Sequence, residues 1–171
     1  MRKNVFIFIA LLMASLSAHA QKFALVDMEY IFQHIPEYER ANEQLNQSSK
    51  QWQAEVEKLS QEAKKLYESY QTTSKSLSEA ARKQKEENIV AKERAAAELR
   101  RKYFGPEGEM AKKQQALIGP IEDKIYEAVK NIALQRGYAA VLDRASANSL
   151  IFASPDIDIS NDVLAKLGYS N

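Results

Sequence analysis

Among side chains able to do chemistry, histidine is the scarcest: the 171-residue chain has only His19 and His34, and it has no cysteine. A nucleophilic triad or a metal site built on His34 would need a second ligand or an orienting acid at helical spacing, yet its neighbours are Phe32, Ile35 and Pro36. That setting reads as structural. Asp27, Asp143, Asp156 and Asp158 fall at the ends of short apolar runs, where acids commonly terminate strands and turns; a general acid–base pair among them is the alternative. A phosphate-cradling loop places its glycines between a strand and a helix, whereas Gly105 and Gly108 flank Pro106 with no strand before them. Without cysteine there is no thiol catalysis, disulfide or cysteine–zinc site. The expectation is a protein that is not an enzyme, with no catalytic, metal-binding or cofactor-binding residue to name.

The elements that carry these residues point the same way. Between Pro36 and Gly105 run 68 residues without proline or glycine, and all five glycines lie at position 105 or later. An unbroken helix of that length would span about 100 Å at 1.5 Å per residue. Such a run is a protruding arm, a coiled coil or a helical hairpin folded back on itself. Elongated helices hold, span or grip, so the chain reads as an interaction protein.

Residues 1–20 read as a secretory signal, with Arg2 and Lys3 before the apolar stretch Val5 to Leu16 and a small-residue site Ala18-His19-Ala20. A spanning helix needs about 20 apolar residues, so cleavage after Ala20 is expected rather than a retained anchor. Processing leaves 22 basic against 23 acidic side chains, a balance that argues against nucleic acid as a partner. Residues 71–115 nevertheless carry 11 basic and 7 acidic side chains. This is either a solvated helix face or a weak attraction for an anionic membrane surface or acidic partners.

Phe23 to Val26 reads as a buried strand and Asp27 to Phe32 as a short helix ending near His34. The long helix starts near Glu37, and Tyr38, Ala41, Leu45, Ser48, Trp52, Val56, Leu59, Ala63, Leu66 and Tyr70 then recur at three- and four-residue spacing as a narrow coiled-coil seam. Hydroxylic and β-branched residues at 72–78 place the hairpin tip there, with Ser78 capping the return helix from Glu79. On that helix Ala80, Ala81, Ala91, Ala95 and Leu99 offer only a thin seam. Gly105, Pro106 and Gly108 break it, as a pivot or a fixed kink, and Pro106 suits the first position of the next helix. After Pro120, Ile121, Ile125, Val129 and Ile132 form an apolar stripe closed by Gly137. Tyr138 to Leu142 reads as a strand paired through a turn at 147–149 with Leu150 to Ala153; Ile157 and Ile159 read as a further short strand. Ser160 or Asn161 caps a last helix through Leu167, closed by Gly168.

The fold class is therefore α+β and mainly α. A helical hairpin arm, 37–119, is inserted into a small β-rich oligomerisation body, 21–36 plus 120–171, of only 68 residues. A body that small buries too little surface to be comfortable alone.

The order of these motifs resembles one family. Phe23-Ala24-Leu25-Val26-Asp27, Phe32-Gln33 followed by Pro36-Glu37-Tyr38, the Lys/Gln/Glu-rich hairpin, Lys124 to Val129, Tyr138 to Asp143 and the ending Asp158-Ile159-Ser160 with Val163-Leu164 and Lys166-Leu167 are together similar to the Skp (OmpH-like) periplasmic chaperones. The resemblance implies a homotrimer in which small β-bodies associate and three hairpins surround a cavity, holding unfolded outer-membrane β-barrel proteins without ATP or any cofactor. It implies client contacts at Trp52, Leu59, Leu66, Tyr67, Tyr70, Tyr103, Phe104 and Met110. Packing of the seam is the plainer role for Trp52, Leu59 and Leu66, whereas the seam has no need of Tyr67, Tyr103 and Phe104. Leu25, Val26, Ile121, Ile125, Val129, Val141, Leu142, Ile151 and Phe152 are the expected oligomer core. Two features depart from the family pattern, the near-neutral charge and the Gly105-Pro106 break. A structural coiled-coil scaffold of the envelope, binding one folded partner, is the alternative.

Overall fold

The computed structural model describes residues 22–147 and 150–169. The expected signal segment and cleavage site, and Asn148 and Ser149 of the expected turn, lie outside the described residues. The chain divides into two compact units, one formed by the described residues up to His34 and from Ile125 onward, the other by Ile35–Lys124.

In the first unit, β1 (Lys22–Val26) buries Ala24, Leu25 and Val26. Asp27 then caps helix α1 (Met28–Gln33), its carboxylate accepting from the Tyr30 N–H at 2.9 Å. Strand β2 (Tyr138–Asp143) pairs with β1 in parallel, Leu25 opposite Leu142 and Val26 opposite Asp143. The carbonyls at the end of β1 serve opposite edges: Val26 accepts from Arg144 N–H at 2.7 Å and Leu25 from Ile159 N–H at 2.9 Å, beside a single bridge to Asp158.

This corrects the expected hairpin. Leu150 to Ala153 is no strand and does not pair with β2, and Ile157 lies in a 3-10 turn, Pro155–Ile157, rather than a strand. The apolar run at 150–152 has strand propensity, but among the described residues β2 pairs only with β1 and its other edge is unpaired, while the returning chain adds the Asp158–Ile159 segment to the second edge of β1. The chain closes with α5 (Ser160–Leu167), whose last turn ends at Gly168 with φ 89°. Ser160 is the first residue of that helix and not its cap, which is Ile159 with no side-chain bond. The Ser160 hydroxyl instead donates to Asp158 Oδ1 at 2.6 Å and accepts from the Asp27 N–H at 2.8 Å.

The second unit opens with α2 (Pro36–Thr73), where Pro36 occupies the first turn and Glu37 and Glu39 suit the helix dipole. The helix stops where hydroxyls compete for its carbonyls: Thr72 and Thr73 both donate to Ser69 O, at 2.9 and 2.8 Å. A 3-10 turn, Ser74–Ser76, leads to Ser78, which caps α3 (Glu79–Phe104) by accepting from the Ala81 N–H. Helix α4 (Glu109–Arg136) begins three residues later than Pro106. Pro106 lies in a tight turn closed by Gly108 N–H on Gly105 O at 2.9 Å, and the Gly108 carbonyl takes the first bond of α4, from Lys112 at 3.1 Å. Glycine is required by crowding here: a Cβ at Gly105 would sit 2.4 Å from the Arg101 carbonyl oxygen, and one at Gly108 2.7 Å from that of Tyr103.

Pro120 does not start a helix; α4 runs through it. Both Pro120 and Ala116, whose carbonyl loses its partner, are exposed, so the missing bond faces water and the helix tolerates it. The division between the units falls inside α4. Its buried hydrophobic side chains are Ile118 and Ile121 before the division and Ile125, Ala128 and Ile132 after it. Val129 is only half-buried, because Ala128 takes the inward place.

Candidate functional site

The hairpin is held by a thin seam. On α2 the buried residues are Ala41, Ser48, Val56 and Ala63, one for every two helical turns; on α3 they are Ile89 and Ala96. Ala80 and Ala91, read from the sequence as seam residues, are exposed. The seven-residue repeat Ile89, Ala96, Tyr103 marks the true seam, obscured in the sequence by Val90 beside Ile89. Polar bonds flank it: Lys92 Nζ on Glu62 at 2.8 Å, Tyr103 hydroxyl donating to Glu55 at 2.5 Å, and the Tyr70 hydroxyl donating to Glu86. The Tyr103 bond and the Gln51 amide hold the Glu55 carboxyl below its usual range, and Lys92 does the same for Glu62.

The eight aromatic and apolar residues singled out on the arm separate in the structure. Trp52, Leu59, Leu66, Tyr70, Tyr103 and Met110 are half-buried. Tyr103 does belong to the seam: its ring stacks on Trp52 with centroids 5.0 Å apart and planes 8° from parallel, and Phe104 meets Trp52 edge-on at 6.5 Å. Lys113 Nζ lies 6.0 Å from the Trp52 ring centroid and donates to Ser48 at 2.6 Å. The Gly105–Gly108 turn is thus bracketed by contacts to α2 on both sides, Tyr103 before it and Lys113 after it.

Tyr67 and Phe104 stay open to solvent, at 48% and 37% exposure. They belong to one lateral face of the hairpin. Phe104 lines an open groove of about 690 Å³ with Lys50, Ala54, Glu57 and Arg100. Arg100 is shared with a second hollow of about 400 Å³ that runs on to Ser60, Lys64, Glu93 and Tyr67. The result is a shallow trough of mixed charge with an aromatic ring towards each end. It lacks the enclosure that a small-molecule pocket needs, but it offers a chain many weak apolar and polar contacts. Sequence spacing picked out its rings and missed Lys50, Lys64 and Arg100, which read as ordinary solvated lysines and arginines.

In the first unit, each of the four candidate acids makes local polar contacts. Arg144 lies between two of them, 2.7 Å from Asp27 and 3.6 Å from Asp158. The Arg144 guanidinium and the Tyr30 N–H hold the Asp27 carboxyl below its ordinary value. Asp143 accepts from the Met28 and Ala145 N–H groups, and Asp156 accepts from the Ser154 hydroxyl. His34 places its Nδ1 2.7 Å from the Tyr30 carbonyl and its ring centroid 4.1 Å from that of Tyr30. Among the described residues no group of three or more His, Asp or Glu could hold a metal ion, and no helix is long and apolar enough to cross a membrane.

The nine residues expected in one oligomer core also divide. Leu25, Val26, Ile121 and Ile125 are already buried within the chain, and Val129 and Val141 are half-buried. Leu142, Ile151 and Phe152 are 51%, 100% and 82% exposed, joined by Phe23 at 48%. This cluster lies on and beyond the two-stranded sheet.

A small sheet-and-helix unit with a helical hairpin inserted in its sequence defines an α+β protein that is mainly α. Residues 22–167 match the family described as Outer membrane protein (OmpH-like), and the chain belongs to it. It is 31% identical over 156 residues to the Chaperone protein Skp of Yersinia enterocolitica, covering 91% of this chain and 92% of that protein. It is 26% identical over 148 residues to the Chaperone protein Skp of Pectobacterium atrosepticum, covering 86% of each.

Proposed function

We propose that the protein is an ATP-independent periplasmic holdase, exported by a signal cleaved after Ala20, which keeps unfolded outer-membrane β-barrel proteins from aggregating. The observation that carries this reading is the lateral trough of the hairpin, open along its length and lined by charges of both signs between Tyr67 and Phe104. Many weak contacts on a thinly held arm retain a client and still release it without an energy source. The relatives named as chaperones support the same class.

On this reading Tyr67 and Phe104 are the leading client contacts, and Trp52, Leu59, Leu66, Tyr70, Tyr103 and Met110 become available only when the seam loosens. The Gly105–Gly108 turn is a fixed corner rather than a pivot, because Tyr103 and Lys113 tie both of its sides to α2. The exposed Phe23, Leu142, Ile151 and Phe152 form the face through which three copies associate. The basic excess at residues 71–115 gives at most a weak contact with anionic membrane surfaces.

The test is dilution of a urea-unfolded outer-membrane barrel protein into residues 21–171, followed by light scattering and sedimentation. The expected result is a trimer that suppresses scattering and forms a soluble complex, a suppression reduced several-fold by Y67S/F104S. A protein that leaves the client to precipitate defeats this reading and favours an envelope scaffold.

A further inference from the structure

The face of α3 turned away from the seam carries an unused pattern. Ile89 and Ala96 point inward, while Val90, 55% exposed, and Ala91 lie outside. They sit in a shallow cleft of about 500 Å³ whose charged lining includes Lys83, Glu87, Arg94 and Glu98. Among the described residues none of these four charges has an ion-pair or side-chain hydrogen-bond partner, whereas Lys92 of the same helix pairs with Glu62.

The order of signs is what gives the cleft meaning. Read outward from the Val90–Ala91 step, Glu87 mirrors Arg94, Lys83 mirrors Glu98, and Glu79 mirrors Lys102. Each mirrored pair is opposite in charge. We propose that this face docks against the same face of a second copy, the two α3 helices running antiparallel about a two-fold axis between Val90 and Ala91. A two-fold contact is self-complementary, so every mirrored pair is made twice.

Other arrangements set like charges together. A parallel two-fold pairing places each residue against itself, Lys83 on Lys83 and Glu87 on Glu87. Sliding the antiparallel pair by one helical turn in one sense puts Glu87 against Glu98 and Lys83 against Lys102; the other sense puts Lys83 against Arg94 and Glu79 against Glu98. Like charges in register repel, so one orientation and one register are selected. On an α-helix the stripe from Glu79 to Lys102 extends about 35 Å. Its apolar centre is small, Val90 and Ala91 with Ala95 beside them, and the rest is exposed charge pairs that salt screens readily. The contact is therefore weak and salt-sensitive, a joining of arms from separate molecules at high local concentration.

The absence of cysteine makes the register directly testable. The mature protein is prepared as E87C and as R94C and oxidised at low salt. A mixture of the two forms the cross-linked pair and neither forms it alone, since in this register like positions lie about 10 Å apart along the axis. Cross-linking of E87C with itself, or none in the mixture, overturns the proposal. Sedimentation velocity gives the independent measure: at low salt the mass rises towards twice its high-salt value. K83E/R94E abolishes that rise with helix content unchanged, and mixing K83E/R94E with E87K/E98K, whose faces are opposite in sign, restores it. An unchanged rise in K83E/R94E, or no restoration in the mixture, refutes the pairing.

Discussion

The body and the arm of this protein bury different kinds of side chain. In the first unit the largest fully enclosed residues are aliphatic, Ile31, Ile125, Ile159 and Val163, and a polar lattice of Asp27, Arg144, Asp158 and Ser160 joins its two chain segments. In the hairpin the enclosed residues are mostly small, Ala41, Ser48, Ala63 and Ala96, with only Val56 and Ile89 contributing bulk. Burying an isoleucine stabilises by about 1.5–3 kcal/mol, and an alanine contributes far less. The first unit is the more deeply packed of the two, and the thinly packed hairpin is the one expected to open locally at lower cost.

The contrast makes graded expectations. The largest effect is Ile125→Ala, at a position 1% exposed, which should lower stability by about 2–4 kcal/mol. A urea midpoint close to that of the parent protein would remove the distinction between the two units.

Trp52→Ala comes next, because it deletes the ring on which Tyr103 stacks and over which Lys113 lies. A half-buried tryptophan should cost about 1–2 kcal/mol, below the range for a fully buried one. Its signature is regional: amide exchange should quicken at residues 96–113 while β1 and α5 keep their protection. Equal acceleration in both units would show that the arm is not an independent layer.

Asp27→Asn tests the polar lattice through pH. Arg144 and the Tyr30 N–H hold the folded carboxyl below the reference value of 3.8. The stabilisation is therefore complete above that reference value and is lost as pH falls through the lower, folded one. The stability gap between parent and D27N should be present at neutral pH and close below about pH 4. A gap that stays constant into acid would assign the lattice to shape rather than charge.

Lys92→Ala should have the smallest effect. Its ion pair with Glu62 spans the helices at 2.8 Å, but both side chains are more than one-third exposed. The midpoint should move slightly at low salt and not at all at high salt. A large shift would mean that surface pairs, not the small-residue seam, hold the arm closed.

The arm was the more legible of the two regions in the sequence. The proline- and glycine-free run, the hydroxyl cluster at 72–78, the Ser78 cap and the glycines at 137 and 168 all act within a few residues of themselves. Rotation of the helix was harder to read. Ile89 and Val90 are adjacent and equally apolar, and only contact with α2 turns Ile89 inward and leaves Val90 outside. The place of Tyr103 in the seam is hidden from local spacing for the same reason, since the ring it stacks on lies 51 positions earlier.

The helical character of 37–104, the Ser78 cap and the stops at Gly137 and Gly168 were determined by the sequence alone, because helical hydrogen bonds close over four residues and a hydroxyl or a glycine acts where it stands. Strand partnership was decided only by the tertiary structure. Leu150 to Phe152 has the composition of a strand, yet β1 joins with β2 from more than a hundred residues away and with the Asp158–Ile159 segment. Propensity is a property of the residue, whereas pairing depends on which segments the rest of the fold brings side by side.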